Sequence, residues 1–354
     1  MNNEKLLNEK PYSLDEGKKR KLFKNKINEL TKFHQKNCNE YKKIINFFGF
    51  NKRKKYQIKD LPFLPVQIFK DIDLISTKKH RIVKTLRSSG TSTGKVSKIF
   101  LDKKNSLEQI KALKKIVQYH IGDKRLPMMI VDKKSSIVNV KGFDAKKAAF
   151  YGFSIFGKDF FYLIKENGEI DYDGLNIFLK KFNKNFLIFG FTFQVYDTLY
   201  NKLIKKNLEK DFLNGILIHG GGWKKMEKFK VSNKEFKINL SKKLNLRKSL
   251  NYYGLVEQTG SIFLECQCGY YISTNFSEIF IRDENFNICN HSEKGFIQLT
   301  SLLPTSYPGH NILTQDIGEI KERSLCKCKL NGTRFIIHGR AKQAEIRGCS
   351  DTIS

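Results

Sequence analysis

The sequence predicts an α/β fold, a large body built on parallel-sheet subdomains with a β-rich C-terminal part. Three observations predict it. Short apolar runs at 186–189 and 215–219 are separated by a helical stretch, and strand, helix, strand at this spacing implies a parallel sheet with covering helices. Beyond Ser261 the chain consists of short strands and turns up to Gly339. With 354 residues, 40% hydrophobic and 12% aromatic, it can bury a sizeable core, which excludes global disorder.

The first 80 residues read as helical and then extended. Ser13 with Glu16 makes a capping box, and Leu22, Phe23, Ile27, Leu30 and Phe33 keep helical spacing. Tyr41, Ile44, Ile45 and Phe48 resume the pattern, and Gly49 is its stop. Leu61-Pro62-Phe63-Leu64-Pro65 is extended, because each proline disfavours helix for its predecessor. Residues 81–86 and 96–101 read as strands flanking a polar loop. A helix follows, with Ser106 and Gln109 as capping box and Leu107, Ile110, Leu113 and Val117 on one face. The helix after 186–189 runs to about Lys206, and the strand 215–219 ends in Gly220-Gly221-Gly222.

No apolar run approaches the roughly 18–20 residues of a membrane span, and the N-terminus lacks a signal peptide's apolar stretch. The expectation is a soluble, cytoplasmic protein without integral membrane association. Lys and Arg number 66 against 35 Asp and Glu, a net charge of +31, which raises a nucleic-acid reading. Only 11 of the 66 are Arg, the residue favoured for bidentate phosphate and base recognition. A solvated lysine surface is therefore expected, and no nucleic-acid partner. A zinc-containing nucleic-acid-binding protein stands as the remote alternative.

Seven cysteines (Cys38, Cys266, Cys268, Cys289, Cys326, Cys328 and Cys349) are too unevenly spread for a disulfide framework. Cys266-Gln-Cys268-Gly269 and Cys326-Lys-Cys328 each sit in a turn between strands. Together they supply four thiolates for a tetrahedral structural zinc, though the Cys-x-Cys spacing is tighter than usual. The competing reading is four small residues beside the core.

Ser88-Ser89-Gly90-Thr91-Ser92-Thr93-Gly94-Lys95 combines hydroxyls, two glycines and a lysine between two strands. Glycines let consecutive N–H groups turn toward one anion, and hydroxyls and a lysine add donors and charge. It is not the Walker P-loop, which has four residues between its glycines and a Ser or Thr after the lysine. Read alone, the segment fits a phosphate loop or a polar hairpin turn equally well.

The wider pattern resembles the adenylate-forming ligases, which activate carboxylic acids as acyl-AMP. Ser88–Lys95 resembles their phosphate loop, and Gly220-Gly221-Gly222 their adenine-side glycine turn. Tyr253-Gly254-Leu255-Val256-Glu257 resembles Tyr-Gly-x-x-Glu, whose glutamate holds magnesium. Thr314-Gln315-Asp316 resembles the Thr-Gly-Asp whose aspartate binds the ribose hydroxyls, with Gln315 in the glycine's place. Gly339-Arg340 resembles the hinge to the small C-terminal domain. Each motif is weak alone; their shared order is strong. The resemblance implies the architecture of those ligases' N-terminal domain over 1–338, with 1–80 its helical part. ATP and Mg2+ are the implied cofactors, with Lys95 and Glu257 as catalytic groups.

Only residues 341–354 follow the hinge, so the terminal small domain is expected to be truncated, leaving a tail over 339–354. The ending Arg347-Gly348-Cys349-Ser350-Asp351, with Phe191-Thr192 and Pro304-Thr305-Ser306-Tyr307-Pro308-Gly309-His310, resembles LuxE-type acyl-protein synthetases. That family implies a relay in which a long-chain fatty acid becomes acyl-AMP and the acyl group moves to Cys349. It then passes to a partner, an acyl-protein reductase or other acyl-acceptor protein. Arg340, Lys342 and Arg347 lie close enough in sequence to favour the thiolate, and an extended tail past Arg340 reaches roughly 45 Å. The alternative is a phenylacetate-CoA-ligase-like acyl- or aryl-CoA ligase.

Overall fold

The N-terminal segment folds as helices Glu4–Asn8, Glu16–Asn37 and Asn39–Phe47. The computed structural model describes residues 3–88, 95–138, 145–203, 209–223 and 230–341. The long helix is capped by Asp15, whose Oδ1 accepts from Lys18 N–H at 2.9 Å. Ser13 is not the cap: its Oγ accepts from Asn275 Nδ2 at 3.0 Å. A carboxylate beside the positive end of the helix outcompetes a hydroxyl further back. Phe23, Ile27 and Leu30 are buried as the spacing predicts, but Phe33 and Phe48 are exposed. The extended segment supplies β1 (Leu64–Pro65), and the hairpin of β2 (Ile82–Arg87) and β3 (Lys98–Asp102) follows.

Helix Lys103–Ile121 starts earlier than its expected capping box, because Asp102 Oδ1 accepts from Asn105 N–H at 2.8 Å. Its buried face carries Asn105, Gln109, Ala112 and Ile116, while Leu107 and Ile110 are exposed. The two buried amides displace the expected apolar face because they satisfy polar groups of a distant segment.

The chain divides into two units. Residues up to His120 join residues 254–341 in one; Ile121–Tyr253 form the other. In the second unit, β4 (Leu126–Ile130), β5 (Gly157–Tyr162), β6 (Phe186–Phe191), β7 (Gly215–Gly220) and β8 (Lys248–Tyr253) pair in the order β5-β4-β6-β7-β8, all parallel. Every residue of β6 and β7 is buried. Helices Tyr172–Lys181, Thr192–Val195 and Asn233–Leu244 carry apolar residues into the same core, where Phe178, Val195 and Phe236 pack with Phe186, Ile188 and Leu217. The helix after β6 continues as π-helical turns over Tyr196–Lys202; its expected extension to Lys206 lies outside the described residues.

The first unit's later half is antiparallel. After β9 (Phe263–Leu264) come β10 (Tyr271–Ile272), β11 (Ser277–Arg282), β12 (Gly295–Ser301), β13 (Asn311–Lys321) and β14 (Arg334–Arg340). The last five pair in the order β10-β14-β13-β12-β11, and β1 joins β13 in parallel. This is the β-rich C-terminal part that the sequence predicts. Among the described residues, no helix is long and apolar enough to cross a membrane.

Candidate functional site

Ser88 closes the β2–β3 hairpin. Its N–H donates to Ser97 O at 3.1 Å and its Oγ accepts from Ser97 N–H at 2.8 Å, so one serine fixes both rims of the polar loop. Ser89, Gly90, Thr91, Ser92, Thr93 and Gly94 lie outside the described residues. The exposed Lys95 ammonium donates to the exposed carboxylate of Asp71 at 2.8 Å, which holds its pKa up.

Glu257 sits in the short 3-10 turn Val256–Gln258 and is 3% exposed. Its main chain is gripped from two sides. The Tyr307 hydroxyl donates to the Glu257 carbonyl at 2.9 Å, and the Gln258 amide donates to Leu299 O at 3.0 Å and Gly309 O at 2.8 Å. Burial pushes the Tyr307 pKa up, so that hydroxyl stays a donor.

The 304–310 segment that supplies this grip is itself anchored. Asn105 Oδ1 accepts from Ser306 Oγ at 2.9 Å and from the N–H groups of Thr305 and Ser306 at 3.3 Å. Asn105 Nδ2 donates to Leu303 O at 2.7 Å. His34 spans Ser76 Oγ at 2.8 Å and Pro304 O at 3.2 Å, and its ring stacks on His310 at 4.9 Å. Burial lowers the His34 pKa to about 3, so it is a neutral structural group. Thr31 donates its hydroxyl proton to Ile27 O, so His310 Nε2 is the donor in their 2.9 Å contact.

Asp316 and Arg340 are register partners on β13 and β14, with Arg340 Nε 3.5 Å from Asp316 Oδ1. Asp316 N–H donates to Thr314 Oγ1 at 3.1 Å. Gln315, in the glycine's place, buries an Oε1 that has no hydrogen-bond partner among the described residues.

In the second unit, Gly220-Gly221-Gly222 leaves the end of β7, with Gly221 at φ +82° and Gly222 at φ +68°, a conformation that disfavours side chains. A Cβ at Gly220 would stand 2.6 Å from the Tyr252 ring and 2.7 Å from its carbonyl oxygen, so the close approach of β8 also demands glycine. Tyr253 ends β8, and Gly254 begins the next segment of the first unit. Beside the glycine turn, buried His219 holds Thr192 Oγ1 through Nδ1 at 3.1 Å and stacks on Phe236.

Three of the four expected metal thiolates meet. Cys266 and Cys326 sulfurs lie 3.6 Å apart, Cys326 and Cys328 3.1 Å apart, and all three sulfurs fall within 4.8 Å of one another. Cys268 is exposed and outside the group. Burial raises the Cys266 pKa to about 12. Burial also opposes ionisation at Cys326, but hydrogen bonds from Cys328, Arg334 and Cys266 outweigh it and bring that pKa down to about 7. Cys349 lies outside the described residues.

Sequence reasoning missed Asn105, His34 and Gln109, whose Nε2 donates to the Tyr307 hydroxyl at 3.4 Å, as anchors of the Glu257 turn. It also missed the buried Lys146–Asp132 pair at 2.6 Å in the second unit. No local pattern marks them: Asn105 meets Ser306 across 201 positions. A buried amide at a helix's apolar positions is the only trace such a residue leaves in sequence.

With this geometry in hand, the solved structures it resembles are informative. The fold is that of the adenylate-forming ligases. 2-Hydroxyisobutyryl-CoA ligase, in an open conformation with 2-HIB-AMP and CoA, superimposes with a TM-score of 0.73 at 12% identity, over 94% of this chain and 77% of that one. The same ligase in its postadenylation state gives 0.70 at 12% identity, over 92% and 69%. ATP-bound MatB from Rhodopseudomonas palustris gives 0.50 at 14% identity over 75% of this chain, which spans about half, 49%, of that protein. The model of the acyl-protein synthetase family, LuxE, matches residues 2–354, and the chain belongs to that family. No curated protein matches it.

Proposed function

We propose that the protein uses ATP to activate a long-chain fatty acid as acyl-AMP and transfers the acyl group to its own Cys349, for delivery to an acyl-acceptor partner in the cytoplasm. In the first step a carboxylate oxygen attacks the α-phosphorus and the bond to pyrophosphate breaks. In the second the Cys349 thiolate attacks the acyl carbonyl and AMP leaves, keeping the bonding electrons. The observation that carries the reading is Glu257: an acidic side chain buried to 3% exposure, on a turn clamped by Tyr307 and Gln258, within Tyr-Gly-x-x-Glu. Buried ionisable groups cluster at functional sites.

A rigid carboxylate is the hard oxygen donor that magnesium takes, and Glu257 would hold it. When bound, magnesium neutralises phosphate charge and eases pyrophosphate departure. Asp316 accepts two hydroxyl donors of a ribose, and Arg340 3.5 Å away keeps its carboxylate oriented. Ser88–Lys95 is the proposed phosphate-binding loop and Gly220–Gly222 the proposed adenine-side turn. For zinc, thiolates 2.3 Å from one tetrahedral ion stand roughly 3.8 Å apart; Cys266–Cys326 at 3.6 Å is close to that, and Cys326–Cys328 at 3.1 Å would have to open. Cys266, Cys326 and Cys328 would hold it in a structural role, with Cys268 as fourth ligand after a shift of its exposed turn.

Pyrophosphate exchange into ATP with fatty acids of graded length tests the first step. Glu257→Gln is expected to cost tenfold or more in exchange, on the order seen when a transition-state ligand is lost. Exchange at the wild-type rate removes Glu257 from the site. For the second step, protein incubated with ATP, magnesium and fatty acid gains one acyl mass that hydroxylamine removes. Cys349→Ala abolishes the label and spares exchange; full labelling of that variant places the acceptor elsewhere. Exchange coupled instead to thioester formation on added CoA supports the acyl-CoA ligase alternative.

A further inference from the structure

Phe47, 87% exposed, and Phe48, 64% exposed, are consecutive large apolar side chains held out in solvent, and their rings meet edge to face at 5.6 Å. Helical spacing assigns Phe48 to a core; the helix end turns it out instead. Phe50 N–H donates to Ile45 O and Gly49 N–H to Asn46 O, both at 3.0 Å, with Gly49 at φ +74°. This closure buries Phe50, which stacks on Tyr56 at 5.2 Å, and leaves the pair before it in solvent.

The chain then makes the turn Asn51-Lys52-Arg53-Lys54-Lys55, exposed at every residue. The turn is preorganised. Lys54 N–H donates to Asn51 O at 3.0 Å, Asn51 N–H donates to the Tyr56 hydroxyl at 2.9 Å, and buried Asn28 holds Tyr56 at both its N–H and its carbonyl. From Tyr41 to Lys59 there are seven Lys and Arg and no Asp or Glu. A cavity of about 270 Å³ opens beside Phe48, walled by Phe50, Tyr56 and Phe63.

We propose that Phe47, Phe48 and the 52–55 basic turn form a docking surface for an anionic lipid bilayer, on which the protein sits peripherally. Two adjacent phenyl rings held out in water gain by entering an apolar phase. Four consecutive cations beside them are placed for headgroup phosphates, where such clusters are attracted by surface potential. Only one of the seven cations is Arg, which disfavours a nucleic-acid partner. The proposal does not depend on the adenylation chemistry, although a bilayer is also where a long-chain fatty acid partitions.

Flotation of the full chain with vesicles of phosphatidylcholine, with and without phosphatidylglycerol, tests the surface. The chain is expected to bind the anionic vesicles about tenfold or more tightly than the neutral ones, and added salt weakens binding. Phe47→Ser with Phe48→Ser is expected to lower anionic-vesicle affinity by about tenfold or more with the thermal melt unchanged. Lys52→Glu with Lys54→Glu and Lys55→Glu should remove the preference for anionic lipid. Equal binding to both vesicle types, or a serine pair that floats like the wild type, overturns the proposal. So does binding to a DNA duplex in place of vesicles, which assigns the surface to nucleic acid.

Discussion

The two units bury their sheets by opposite means. In the parallel sheet, β6 reads Phe-Leu-Ile-Phe-Gly-Phe and β7 Gly-Ile-Leu-Ile-His-Gly, apolar and buried on both faces. In the antiparallel sheet, β12 and β13 bury Gln298, Thr300 and Asn311 among their apolar residues. Asn311 Oδ1 accepts from Gln298 Nε2 at 2.6 Å and Thr300 Oγ1 at 3.0 Å, and its Nδ2 donates to Pro62 O at 3.1 Å. An apolar strand stabilises by area, which is non-directional; a buried amide stabilises only in one register. The unit that carries Glu257, Asp316 and Arg340 is the one whose sheet buries such directional bonds, the fixed geometry that the proposed site would need.

The largest effect should come from breaking the apolar side. Phe186 is fully buried between Phe178 and Phe212 in edge-to-face contact, and Phe186→Ala is expected to cost about 3–5 kcal/mol in urea titration. A loss under about 1 kcal/mol would show that the core collapses around the gap. Next is Asn311→Leu, which keeps volume but strands the Gln298 and Thr300 donors; about 2–4 kcal/mol is expected, in the same titration. The two substitutions should also differ in kind. Hydrogen exchange should rise throughout the second unit for the first, and around β12, β13 and the 304–310 segment for the second.

Acid sharpens the comparison, because both units bury neutral histidines, His34 and His310 in the first and His219 in the second. Burial lowers His34 and His219 to about 3. The unfolded chain, with an ordinary value of about 6.5, binds protons that the folded one refuses between those limits. Stability from each is therefore complete above about pH 6.5 and lost as pH falls toward 3, at up to roughly 1.4 kcal/mol per pH unit per histidine. Denaturant midpoints followed from about pH 7 to 5 should decline, and His34→Gln and His219→Gln should each flatten the decline. An unchanged slope in both variants would assign acid sensitivity to other groups.

The smallest effect concerns caps, where the units agree. Asp171 Oδ1 accepts from Gly174 N–H at 3.1 Å as Asp15 does from Lys18. Asp171→Ala and Asp15→Ala should each cost about 1 kcal/mol by thermal melt.

Much of the parallel unit was legible in the sequence. Unbroken apolar strands between helices admit few other arrangements, and Gly220-Gly221-Gly222 announces a turn by composition. The helices were legible by period, but their starts were not, since Asp15 and Asp102 took caps that motif spacing gave to Ser13 and Ser106. Of the candidate site, the order of the motifs from Ser88 to Arg340 was readable because each is a few consecutive residues. Which groups hold them was not.

By itself the sequence determined the fold class and the family, since these rest on local patterning and on motifs a few residues long. Only the tertiary structure decided that Asn105, Gln109 and His34 brace the Glu257 turn. It also decided that Cys266, Cys326 and Cys328 meet while Cys268 does not, and that Phe48 faces water. Each of these depends on partners brought together by chain closure over tens to hundreds of residues. A hydrogen bond or a sulfur contact carries no signal along the sequence until packing sets its distance.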